Sequence, residues 1–198
     1  MNKVVRIGTR DSELAVWQAS LVKENLAAEH IPAELVFIKS EGDIDLVTPL
    51  YDIGVQGIFT KTLDAALLNN RIDIAVHSMK DVPVQLAQGI IQAAVLERGS
   101  YKDILVYKEN QPLTTHHLPF IIATSSIRRK AQWLYKYPGS IIKNLRGNVN
   151  TRLRKLDESN WHGAIFAAAG LERIGLRPVH SIDLDWMLPA PAQGAVMV

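Results

Sequence analysis

Short β-branched runs that end in a polar turn and hand over to helically spaced apolar residues recur along this chain. That grammar constrains its fold more than any other feature. VVRIGT (4–9) passes through Arg10, Asp11 and Ser12 into ELAVWQASLVKENLAAEH, whose apolar residues keep helical spacing. Asp11 or Ser12 can cap that helix, and Glu13 suits its first turn. AELVFIKS reads as a second strand, TKTLDAALLNN (60–70) as a helix, and DIAVH (73–77) as a strand that stops at SMKDVP. The pattern then repeats: FIIAT (120–124) before SSIRRKAQWLYKY, with Ser125 or Ser126 as cap, SIIKNL before RGNVNTRLRKL, and GAIFAA before AGLERIGL. Strands alternating with helices predict parallel sheets with helices on both faces, the α/β class.

At 198 residues and 47% hydrophobic, the chain can bury one large core or two modest ones. Two domains are expected, residues 1–97 and 98–192, with a crossover near Glu97–Lys102 and a second through LPAPAQG (188–194). The terminal AVMV is expected to return to the first sheet, so that 193–198 rejoin the first domain and the lobes are hinged. Cysteine is absent, which excludes disulfides, thiolate metal sites and a cysteine nucleophile within these residues. No apolar run approaches a membrane span of about 18 residues, and Met1–Arg10 lacks a long apolar signal core; the expected location is cytoplasmic.

Charge is distributed unevenly. Residues 1–100 carry 9 basic and 13 acidic side chains, whereas 101–198 carry 13 and 7. From Asn110 to Leu156 there are nine Lys or Arg and no Asp or Glu. Ligands of open parallel sheets gather outside the carboxyl ends of the strands. That edge receives Arg10 and Ser12, then Ser78, Lys80 and Asp81, then Ser126, Arg128 and Arg129, then Arg146 and Arg152, and finally Arg173. Arg128 and Arg129 fall in a first helical turn, where a cation is disfavoured by about 0.3–1 kcal/mol and an anion is favoured. An anionic ligand removes the conflict.

Other residues carry plainer readings. Lys130, Lys136, Lys143, Arg154 and Lys155 read as solvated helix faces. Trp133, Tyr135 and Tyr137 read as packing residues, although WLYKYP could also stack on bases. His116 and His117 lack partners at metal-ligand spacing, and GVQG (54–57) is too short for a phosphate loop. Arginine suits carboxylate and phosphate equally. Asp81 favours a ligand that pairs carboxylates with a cationic or N–H-bearing centre, but an ion pair with Lys80 or a cap before Pro83 explains it as well.

RIGTRDSELAVWQA, HSMKDVP, TSSIRRKAQ, LRGNVNTRLRKLD, AAAGLERIGL and LPAPAQGAV occur in the order and spacing of the porphobilinogen deaminase (hydroxymethylbilane synthase) family, which the chain resembles from Arg6 to Val196. The resemblance implies a transferase of tetrapyrrole and haem biosynthesis that joins four porphobilinogens head to tail, losing ammonia each time, and releases hydroxymethylbilane. It implies two hinged domains of the type II periplasmic-binding-protein-like fold, with mixed, mostly parallel sheets and the active cleft between them. A third domain of the family holds a dipyrromethane cofactor through a cysteine thioether. That domain and cysteine are missing from these residues, so the chain is expected to be a truncated form, inactive by itself.

Carried over motif by motif, Arg10, Ser12, Lys80, Ser126, Arg128, Arg129, Arg146, Arg152 and Arg173 match the family's carboxylate-binding positions, and Asp81 matches its catalytic aspartate. Ser78, Phe59 and Gln193 are further cleft candidates. Gln56 stands where many relatives have lysine, in a loop (51–59) that covers the family's cleft. The implied ligands are porphobilinogen and polypyrrole polycarboxylates, with no nucleic acid, no membrane and no metal, and a monomeric chain. Two rivals remain at this level: a non-catalytic small-anion-binding protein of the same fold, and a nucleic-acid binder using the 110–156 basic region. The modest pI of 8.8 and the recurrence of basic residues at strand ends count against the second.

Overall fold

The computed structural model describes residues 3–39, 60–108 and 119–198. Phe59, the 51–59 segment with Gln56, and His116 and His117 lie outside them. The chain divides into two compact units. Among the described residues the first holds 3–39, 60–99 and 194–198, and the second holds 100–108 and 119–193.

In the first unit, β1 (Val5–Thr9) pairs in parallel with β2 (Ala33–Phe37) on one side and β3 (Ile74–Ala75) on the other. Helices α1 (Glu13–Ala28) and α2 (Lys61–Leu68) connect them. Strand alternation sends Ile7 toward Ala19 and Val22 of α1, together with Val76 and Val196. A second buried group joins Ile38, Leu63, Ala66, Ile72 and Ala75. DIAVH does not form one continuous strand. β3 belongs to the parallel sheet, whereas β4 (His77–Ser78) pairs antiparallel with β10 (Val196–Met197). The chain breaks between these pairings at Val76, whose N–H donates to the Gly8 carbonyl.

The second unit is built on one five-stranded sheet in the order β7-β6-β8-β5-β9, comprising β5 (Asp103–Tyr107), β6 (Ile121–Ala123), β7 (Ile141–Lys143), β8 (Gly163–Ala167) and β9 (Ser181–Asp183). β6 runs parallel to β7 and β8, but β5 is antiparallel to β8 and β9. The sheet is therefore mixed, not purely parallel as the strand–helix grammar suggests. DILVY (103–107) falls outside that grammar, since no helix-patterned segment follows it directly in the sequence.

Near-continuous apolar runs in β5 and β8 mark strands covered on both faces. Ile104, Val106, Ala164 and Phe166 pack with Leu145, Leu156 of α4 (Val149–Glu158) and Leu171 of α5 (Ala168–Glu172). Leu105 and Ile165 point the other way, toward Phe120, Trp133 of α3 (Ile127–Lys136), Leu184 and Met187. Trp133 and Tyr137 are packing residues, in ring contact with Phe120 and Trp186, whereas Tyr135 is exposed.

Gly8 shows how tightly the first unit closes. A Cβ there would lie 2.2 Å from Ile72 Cδ1 and 2.9 Å from Leu63 Cδ2, both on buried side chains. Gly8→Ala is expected to cost about 1–3 kcal/mol, the usual range for overpacking a core. Urea denaturation checks this; an unchanged midpoint would mean that the layer between β1 and α2 yields freely.

Candidate functional site

Parallel neighbours aim their carboxyl ends the same way, so sheet order decides which loops share an edge. In the second unit the adjacent parallel strands β7, β6 and β8 lead respectively to the loop with Arg146 and the first turn of α4 with Arg152, to Ser126 and the first turn of α3 with Arg128 and Arg129, and to the short α5 that Arg173 follows. The sheet thus gathers the basic residues that the sequence scatters over 48 positions, from Ser126 to Arg173.

Each residue of TSS has a separate task. The Thr124 hydroxyl accepts from the Ser126 N–H (3.2 Å), and the Ser126 hydroxyl caps α3 by accepting from the Arg129 N–H (3.4 Å). Ser125 is not the cap. Its hydroxyl accepts from the Leu145 N–H (2.8 Å), fastening the loop after β7 to the loop after β6.

The next loop turns at Gly147, whose φ of +108° is left-handed and where a Cβ would come within 2.7 Å of Thr151. Asn148 then caps α4 by accepting from the Thr151 N–H (2.9 Å), and Arg152 Nε donates to the Gly147 carbonyl (2.8 Å). Lys155 is half-buried and donates to the Arg146 carbonyl (3.1 Å), so it braces this loop instead of forming part of a solvated face. Lys130, Lys136, Lys143 and Arg154 are exposed. Arg146 is buried, and Arg173 is half-buried, with burial pulling its guanidinium below the usual value against the opposing pull of Glu172.

The arginine pair is answered from within the protein. Asp103, the first residue of β5, is 0% exposed. Its Oδ1 accepts from Arg129 Nε (3.1 Å), Arg129 Nη2 (2.7 Å) and Gln193 Nε2 (3.0 Å), and its Oδ2 lies 2.6 Å from Arg128 Nη1. Burial raises this carboxyl's pKa, but Arg129 and Arg128 outweigh it and hold the group below its usual range. Arg129 is 6% exposed and also donates to the Ile165 carbonyl (3.0 Å). Gln193 is 1% exposed and donates to the Tyr101 carbonyl (2.7 Å).

Arg128 lies nearer the surface, with Nη1 donating to the Leu188 carbonyl. One helical turn on, the Gln132 amide donates to that carbonyl (3.1 Å) and accepts from the Leu188 N–H (2.7 Å). Sequence reading missed Asp103. The available signal was an acid opening an otherwise wholly apolar strand.

In the first unit, Arg10 and Ser12 follow β1, Ser78 ends β4, and Lys80 and Asp81 come directly after it. Ser12 stands at the N-cap of α1 in an extended conformation but makes no side-chain capping bond. The turn is fixed instead by the Thr9 hydroxyl, which donates to the Ala15 carbonyl (3.0 Å). Buried Gln18 of α1 donates to the Ser78 hydroxyl (2.8 Å). Lys80 and Asp81 are exposed on a single 3₁₀ turn, Met79–Asp81, whose first N–H is tied to the Ala195 carbonyl (3.0 Å).

Burial pushes the His77 imidazole down to about 4, with Asp81 pulling it up and Arg10 pushing it further down. His77 thus reports an acid and a base on the same edge of this unit. Among the described residues there is no group of three or more His, Cys, Asp or Glu that could hold a metal.

The family model described as "Porphobilinogen deaminase, dipyromethane cofactor binding domain" matches residues 5–198. The chain belongs to the porphobilinogen deaminase family. It is 44% identical over 201 residues to the chloroplastic porphobilinogen deaminase of Oryza sativa subsp. japonica, covering 98% of this chain and 56% of that protein. The chain therefore spans little more than half the length of that curated relative.

Among solved structures, the periplasmic VFT2 domain of Bordetella pertussis BvgS aligns with a TM-score of 0.51 at 11% identity, over 98% of this chain and 79% of that one. That likeness concerns fold alone, and the α/β architecture is of the type II periplasmic-binding-protein-like class. The second unit fits the carboxylates of a dipyrromethane, since it presents arginines beside two capped helix N-termini on one sheet edge. The 198 residues contain no cysteine, so they offer no thiol for a thioether to that group.

His77 also sets a pH dependence. A histidine whose folded pKa is depressed stabilises the fold fully above its unfolded value near 6.5, and that contribution is lost as pH falls toward about 4. Stability is expected to decline across this window, with a shallower decline in His77→Gln. The same loss of unfolding free energy between pH 7 and pH 4.5 in both proteins, measured by urea denaturation, would contradict the burial of a neutral imidazole.

Proposed function

We propose that this chain supplies the carboxylate-binding and charge-stabilising parts of hydroxymethylbilane synthase, the enzyme that condenses four porphobilinogen molecules with loss of ammonia. The observation carrying the reading is Asp81, an exposed carboxylate on the same edge as Arg10 in a chain otherwise rich in arginines at strand ends. Each pyrrole added to the product brings an acetate and a propionate. Arg10, Ser12 and Lys80 in the first unit, and Ser126, Arg128, Arg146, Arg152 and Arg173 in the second, are the groups that bind and orient those carboxylates, with Arg129 buried next to Arg128.

When bound, a dipyrromethane supplies an electron-rich pyrrole carbon from which the product is extended. Asp81 acts on the incoming porphobilinogen. Departure of ammonia leaves an electron-poor, positively charged azafulvene, which a nearby carboxylate stabilises while accepting hydrogen bonds from pyrrole N–H groups. Lys80 is adjacent in sequence and balances the charge of Asp81 against substrate carboxylates. The ligands on this reading are small polycarboxylates, with no role for nucleic acid or membrane, and the chain works as a cytoplasmic monomer.

Asp81→Asn keeps the size of the side chain and removes its charge. In a complete enzyme that carries these residues together with a cofactor-bearing domain, hydroxymethylbilane formation is expected to fall about 10²–10³-fold, the usual effect of losing one preorganised electrostatic contact, with substrate binding retained. Near-normal turnover of this variant would remove Asp81 from the chemistry. Loss of binding together with turnover would recast it as a structural residue of the 79–81 turn.

A further inference from the structure

The sequence places Arg128 and Arg129 in a helical turn that disfavours cations, and the fold sets a fully buried carboxylate behind them. A buried carboxylate contributes little net stability when compared with an apolar residue of the same size, because its desolvation offsets its ion pairs. Asp103 nevertheless has four donor atoms around it from three residues: Arg128 Nη1, Arg129 Nε and Nη2, and Gln193 Nε2. These residues come from α3 and from the segment preceding β10, whereas Asp103 itself opens β5. Two chain passages meet there, because the chain leaves the first unit after 99 and returns to it at 194. Gln193 binds both the Tyr101 carbonyl and Asp103, so it holds the two passages together.

The two arginines are held differently. Arg129 is buried, its fork closed on Asp103 Oδ1 and its other side donating to the Ile165 carbonyl of β8. Arg128 is half-buried and touches only Oδ2, with Leu188 as its second protein partner. One carboxylate can therefore lock the inner arginine as a fixed wall and orient the outer one by a single oxygen. Two cations against one internal anion leave net positive charge facing ligand.

We propose that Asp103, steadied by Gln193, is a positioning residue that fixes Arg129 in place and orients Arg128 beside it for a ligand bearing paired carboxylates. This rests on the reading that Arg128, held beside Arg129, binds ligand carboxylates. Groups that orient a ligating side chain from behind are typically worth about 10- to 100-fold in affinity or activity, as measured at metal sites. Removing the Asp103 charge leaves the cluster more positive, so a simple electrostatic account expects tighter anion binding. Positioning expects weaker binding.

The test is a calorimetric titration of this chain with a free dipyrromethane carrying acetate and propionate side chains, with circular dichroism and melting as folding controls. The variants are Asp103→Asn, Gln193→Leu, Arg128→Ala with Arg129→Ala, and the triple combination with Asp103→Asn. Positioning is expected to weaken binding at least about tenfold in folded Asp103→Asn, and less in Gln193→Leu. In the arginine-deleted background Asp103→Asn should have no further effect, because it acts only through those side chains.

Unchanged or tighter binding by Asp103→Asn, with the arginine double variant still defective, would overturn the positioning role and leave the carboxylate-binding reading intact. If Asp103→Asn does not fold, Gln193→Leu decides: its full affinity would overturn the proposal. Full affinity in the arginine double variant would overturn both the reading and the proposal.

Discussion

A carboxylate with no exposed surface is costly to keep charged unless several donors close around it. Asp103 is such a group, and the second unit is arranged to hold it. Arg129 reaches it from the first turn of α3, Arg128 from one residue earlier, and Gln193 from the segment that ends the unit. Removing one member of a buried ion pair typically costs about 3–5 kcal/mol, so α3, β5 and the 188–193 segment are bound into one another through this centre. The same bonds fix where the arginines begin and how far they extend. On the proposed reading, stability and ligand geometry share a single interaction.

The remaining parts of the basic edge depend on smaller devices of the same kind. Ser125 fastens the loop after β7, Gly147 permits its left-handed turn, and Lys155 braces the Arg146 carbonyl. None of these residues needs to touch ligand. In the first unit the device is different, because Asp81 is held by backbone: a 3₁₀ turn anchored through Met79 to Ala195, beside the β4–β10 pair. On the proposed reading, this exposed carboxylate on a backbone-fixed turn meets the transient cation.

Much of this was legible in sequence because the signals are local. The strand–turn–helix grammar located β1, α1, β2, α2, β6, α3, β7, α4 and β8, since hydrophobic periodicity and capping residues act within one turn. The family motifs named the residues that the sheet order then gathers on common edges. Asp103 was not legible as a partner of Arg128 and Arg129, because it lies 25 residues before Arg128 and only the antiparallel pairing of β5 with β8 brings it behind α3. The split of DIAVH was hidden for a related reason: two strands on one apolar run differ only in which neighbour takes their hydrogen bonds. Lys155 read as surface because helical charge patterning carries no information about the loop it reaches back to.

On the proposed reading, the basic edge recognises the carboxylates of a polypyrrole. It is tested most directly by titrating the folded chain with a free dipyrromethane bearing its acetate and propionate groups, and in parallel with the same molecule as its methyl ester. The two ligands share rings and N–H groups and differ only in charge. Saturable binding of the acid, weakened by added salt, and none of the ester is expected. Equal binding of acid and ester, or no binding of the acid by a demonstrably folded chain, would contradict it.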